Sequence, residues 1–174
     1  MRRAVMMAML PLAAALASPA AAQDAPEHCP ENRVAFPAEL AGWASPAPLS
    51  AAADAAHLDG ATLTLGAAAN ATLRPTGDIH YVAQPGRPGT AGSFGGMFAF
   101  AVAQAGPYRV AIGSAAWIDV VGGGSVIASS GHSHGPACSG IRKMVDFALT
   151  PGHYVLQIAA SGAATLPVMV VRLP

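Results

Sequence analysis

The chain has 174 residues, enough for one domain of ordinary size and too few for two. Hydrophobic residues make up 53% and charged residues 10%, with alanine and glycine supplying much of the apolar count, so the core is expected to consist of small side chains and a few aromatics. Nine basic residues balance nine acidic ones, which excludes the basic surplus of a nucleic-acid or anionic-membrane binder.

Met1-Arg2-Arg3, the apolar run from Ala4 to Leu16 and Ala20-Ala21-Ala22 follow the order of a secretory signal: a charged start, an apolar middle and a small-residue cleavage site. The apolar run is shorter than the roughly 20 residues of a spanning helix and contains Pro11. The expectation is a periplasmic or secreted protein cleaved near Ala22, with residues 1–22 as signal peptide and no membrane span after its removal. Taking Arg2 and Arg3 from the nine basic residues leaves seven against nine acidic ones, a formal charge of −2. In an oxidising compartment, the only two cysteines, Cys29 and Cys138, are expected to form one disulfide. Closing a loop of about 100 residues stabilises by up to roughly 4.7 kcal/mol on chain-entropy grounds.

Residues 23–60 form a Pro/Ala-rich stretch, with Pro26, Pro30, Pro37, Pro46 and Pro48, and no sustained period. It reads as an extended arm anchored on the core by Trp43. At most one helical turn is expected, over Ala51–Ala56 with Ser50 as its N-cap. Residues 61–174 read as the domain proper. Ala61–Leu65, Ala71–Arg74 and Ile79–Val82 are short alternating segments, and 84–93 is a loop by its Pro and Gly content. One pattern then occurs twice: Phe98–Val102 leads through Gly106-Pro107 to Tyr108–Ile112, and Val145–Leu149 leads through Pro151-Gly152-His153 to Tyr154–Ile158. Each pattern predicts a hairpin, with Tyr108, Val110 and Ile112, or Tyr154, Leu156 and Ile158, on one buried face. Ala116–Val121, Ser125–Ser129 and Leu166–Leu173 are further strands. Many short strands and regular turns predict an all-β fold, an antiparallel β-sandwich of jelly-roll or carbohydrate-binding/prepeptidase-tail-like type with an extended N-terminal arm.

Gly131–Lys143 reads as a loop and holds most of the candidate chemistry: His132, His134, Cys138 and the only adjacent basic pair after the signal, Arg142-Lys143. On a strand, His132 and His134 share a face and present two imidazoles to Cu, Zn, Ni or Fe. Further ligands have to come from elsewhere; His28 beside Cys29 is one candidate, and His80, His153, Asp119 and Asp146 are others. Arg142 and Lys143 are candidates for pairing with a ligand carboxylate, against the alternative of a solvated strand edge. Cys138-Ser139-Gly140 is no nucleophile elbow, Gly122-Gly123-Gly124 lacks the Lys and helix of a phosphate loop, and no catalytic set is complete.

Trp117-Ile118-Asp119-Val120-Val121, the run His132–Lys143 and Leu166-Pro167-Val168 together resemble a family of small exported bacterial proteins of no established role. Its members often carry the name homogentisate 1,2-dioxygenase. The resemblance spans nearly the whole mature chain and carries over no catalytic residue. The name implies a metal-dependent oxygenase, whose cupin signature requires a Glu shortly after His-x-His; Gly135–Lys143 contains no carboxylate. Two function classes follow. The first is a non-catalytic binding or presentation module for an unknown ligand or envelope protein, with His132 and His134 as a metal-binding option. The second is a dioxygenase-type metal enzyme centred on the same histidines.

Overall fold

The computed structural model describes Cys29 and residues 36–174. Two antiparallel-rich sheets pack face to face as a β-sandwich, as expected. The strands are β1 (Ala47–Ser50), β2 (Ala69–Thr72), β3 (Arg74–Pro75), β4 (Phe94–Val102), β5 (Gly106–Ile112), β6 (Trp117–Gly122), β7 (Ser125–Ile127), β8 (Ser129–Ser133), β9 (Lys143–Leu149), β10 (Gly152–Ser161) and β11 (Thr165–Arg172). The six-stranded sheet runs β1-β2-β11-β5-β9-β8 and the five-stranded sheet runs β3-β4-β10-β6-β7.

Alternation along the long strands builds the interior. Tyr108, Val110 and Ile112 of β5, Val145, Phe147 and Leu149 of β9, and Leu166, Val168 and Val170 of β11 meet Phe98, Phe100, Leu156 and Ile158 of the other sheet in one buried cluster. The intervening residues of the six-stranded sheet face outward, yet several are buried too. Ala111, Met144, Met169 and Val171 pack under Leu40 and Trp43 of a 3₁₀ helix over Ala38–Ala44. Trp43 thus anchors the N-terminal segment, as expected, on the sheet's outer face instead of the interior.

The repeated pattern does not make hairpins. Its two strands lie in opposite sheets: β4 pairs with β10 and β5 with β9, so each unit is an arch crossing the sandwich and the two units pair with each other. The tyrosines explain the shared grammar. Tyr108 Oη donates to Gln104 O and Tyr154 Oη to Thr150 O, each at 2.8 Å and each four residues back, which is the tyrosine-corner device for turning the chain between sheets. Loop length alone does not separate an arch from a hairpin.

Other local expectations are corrected. Ala61–Leu65 forms only an isolated bridge, between Thr62 and Ala99, with Leu63 N donating to Ala99 O at 2.8 Å and Ala99 N to Ala61 O at 2.9 Å, and Ile79–Val82 is irregular. Ala47–Ser50 is a strand, paired in parallel with β2, within the stretch expected as an extended arm. The short helix is a 3₁₀ helix at Ala55–Gly60 capped by Asp54, whose side chain accepts from Ala56 N at 2.9 Å; Ser50 is not its cap. His57 holds the Asp54 carboxyl below its ordinary pKa. Among the described residues no helix is long and apolar enough to cross a membrane.

Candidate functional site

The segment after β7 determines where the histidines point. The chain leaves the five-stranded sheet at Ile127 and joins the six-stranded one at Ser129, so the expected single strand Ser125–Ser129 is two strands in two sheets. Ser129 pairs with Phe147 but Gly131 pairs with Asp146, leaving Ser130 as a one-residue bulge. After the bulge His132 stands opposite Val145, an interior-facing residue. Without it, a strict period of two would put His132 opposite Met144, on the outer face. The start of the expected loop, through Ser133, is therefore strand, and the face that carries His132 also borders His134, just past the strand's end.

That face borders a cleft of about 570 Å³ at one end of the sandwich, lined by Arg87, Trp117, His132, His134, Arg142 and Lys143. Ala115, Ala116 and Ala160 supply small apolar walls. Lys143 is the only lysine in the chain. Its Nζ donates to Ala116 O at 3.1 Å and lies 5.3 Å from the centre of the Trp117 ring. Burial lowers the Lys143 pKa and Arg87 lowers it further, against a smaller raising effect from Asp119. Lys143 is thus no solvated sheet edge, since β8 lies outside β9 and Lys143 is half-buried, whereas Arg142, just before the strand, is exposed.

Each cation is held by a separate device. Arg87 rides on the loop 84–93, which is pinned across the five-stranded sheet. Gln157, fully buried, accepts from Ala83 N and donates to Ala83 O, both at 3.0 Å. Asp119 accepts from Gly86 N at 3.0 Å. Gly86 lies so close to Trp117 that a Cβ there would meet the ring at 2.9 Å, so any other residue would displace the loop that carries Arg87. Tyr81 Oη donates to Ile158 O at 2.9 Å, and burial pushes this phenol up to about 12. Arg142 and His134 are joined through the backbone: His134 Nδ1 lies 3.0 Å from Arg142 O. A carbonyl only accepts, so Nδ1 carries the proton and the neutral ring keeps its lone pair on Nε2. The loop between them is fastened to the N-terminal segment by the Cys29–Cys138 disulfide, with Cα atoms 5.4 Å apart, and by Trp43 Nε1 donating to Ser139 O at 3.0 Å.

Of the residues singled out from sequence, His132, His134, Arg142 and Lys143 come together here. His28 lies outside the described residues. His153 is the second residue of β10, and Ala160 at the cleft is seven residues on, roughly 23 Å of extended chain. His80 is absent from the cleft lining. Asp146 takes Arg109 in a bidentate pair, at 2.7 and 2.8 Å, which raises the Arg109 pKa. Among the described residues no group of three or more His, Cys, Asp and Glu side chains gathers to hold a metal. Arg87 was not singled out, since 45 residues separate it from His132 and only its place in a Pro/Gly-rich loop marked it. A comparison with known protein families and with characterised proteins finds no match to this chain.

Proposed function

We propose that the chain is an exported, non-catalytic β-sandwich module that binds a small organic or inorganic anion in the cleft around Lys143. One observation carries the reading: Arg87, Arg142 and Lys143 converge with two histidines on a cleft that, among the described residues, no carboxylate lines. Such a concentration of one sign in a chain of near-zero net charge focuses a positive potential at one point. The leader-like residues 1–22 and the Cys29–Cys138 disulfide support export to an oxidising compartment.

A metal centre at His132 and His134, dioxygenase-type chemistry included, is the second reading, favoured by their place on one cleft and by a His134 Nε2 that has no hydrogen-bond partner among the described residues. It ranks lower because three nearby cations oppose a bound cation, and a facial triad needs a carboxylate that the cleft lining lacks. Calorimetric titration with inorganic phosphate at neutral pH and low salt tests the choice. The anion reading expects binding that Lys143→Met weakens by roughly tenfold, one close charge interaction, and that salt weakens further. Absence of phosphate binding, together with a stoichiometric transition metal lost in His132→Ala, would replace it with the metal reading.

A further inference from the structure

Building on the anion reading, we infer that the cleft's ligand is an amphiphilic organic carboxylate, its charged head at Lys143 and its apolar end inserted between the two sheets. A recess of about 300 Å³ adjoins the cleft, and Trp117, His132 and Lys143 line both. Beyond those three residues its walls are Ile118, Val145 and Ser129. Ile118 and Val145 belong to the interior cluster of the sandwich, so the recess reaches the edge of the apolar core.

The two spaces differ in chemistry. The outer cleft holds all three guanidinium and ammonium groups; the recess shares only Lys143 with them. Besides Lys143, only Ser129, His132 and the indole N–H of Trp117 are hydrogen-bonding groups on the side chains lining the recess, too few to satisfy the hydroxyls of a sugar or nucleoside buried there. An apolar chain needs no such partners and gains by leaving water. Lys143 stands at the junction, held by Ala116 O and the Trp117 ring, with its ammonium placed to meet a carboxylate at the point where an apolar tail turns inward. The paired features on one lysine favour a head-and-tail ligand over a free inorganic anion.

The test is isothermal titration of the full disulfide-bonded chain with octanoate, acetate, octanol and inorganic phosphate. Octanoate is expected to bind roughly tenfold or more tightly than acetate, since several methylenes leave water, and more tightly than octanol, which lacks the head. Ser129→Phe, at an exposed position on the recess rim, is expected to remove the advantage of octanoate over acetate. Octanoate binding no tighter than acetate while phosphate still binds would overturn the amphiphile and leave the anion reading standing. Octanol matching octanoate would overturn the carboxylate. Failure of phosphate, acetate and octanoate alike would overturn both readings.

Discussion

The two ends of the sandwich are built from the same strands and treated oppositely. At one end β5 begins beside the end of β9, and β10 begins beside the ends of β4 and β6. Two tyrosine corners close it, and Tyr154 stacks on Phe100 with ring centres 5.5 Å apart. At the other end β9 begins at Lys143 beside the end of β5, and β6 begins at Trp117 beside Ala159 of β10. There the sheets are left apart, with a cation between them and a buried Trp117 Nε1 that has no hydrogen-bond partner among the described residues. The closed end turns its tyrosine hydroxyls onto backbone carbonyls; the open end brings Arg87, Arg142 and Lys143 onto one cleft.

Substitutions at the closed end should therefore cost stability and spare binding, and the reverse should hold at the open end. The largest effect is expected from Phe100→Ala, which empties a fully buried ring site and should cost about 3–5 kcal/mol of unfolding free energy in urea titrations. A cost below about 1 kcal/mol would mean that the closed end is not the stabilising one. Smaller losses, about 1 kcal/mol each, are expected for Tyr108→Phe and Tyr154→Phe. Tyr154 should be the more costly, because its hydroxyl also accepts from Thr150 N at 3.2 Å. Phosphate affinity should not change in either variant; a change would show that the two ends are coupled.

The smallest effect sharpens the open end. As the sole lysine, Lys143 gives a single side-chain signal after reductive ¹³C-methylation, apart from the N-terminus. Its titration midpoint is expected below the ordinary lysine value, because burial and Arg87 disfavour the charged form. The sign follows from proton binding. In the window between the folded and unfolded midpoints the unfolded chain binds more protons, so this group makes stability rise with pH there. Anion binding should weaken across the same window as the ammonium is lost. A midpoint at or above the ordinary value would place Lys143 in solvent and remove it from the site.

The long strands were legible because burial on one face writes a period of two into the sequence. Tyr108, Val110 and Ile112, like Tyr154, Leu156 and Ile158, lie in the interior as expected. The disulfide was legible by count, since two cysteines allow one pairing. Most of the candidate site was visible as residue types, in His132, His134, Arg142 and Lys143. Their common orientation was not, because it depends on the extra residue at Ser130, and nothing in Ala-Ser-Ser-Gly-His marks which residue loses its partner. Arg87 was out of reach for a related reason: its position is imposed by Gln157 and Asp119, on strands far along the chain.

By itself, the sequence determined the all-β class, the faces of the main strands and the covalent staple, all of which follow from local alternation and composition. The tertiary structure decided that the repeated units are arches, that the staple buttresses the outer face of one sheet, and that the open end holds a cationic cleft. Alternation specifies which side of a strand is apolar, but a strand satisfies its backbone hydrogen bonds equally well in either sheet. Only packing of the whole chain selects the sheet, and with it the set of side chains that meet at the end left open.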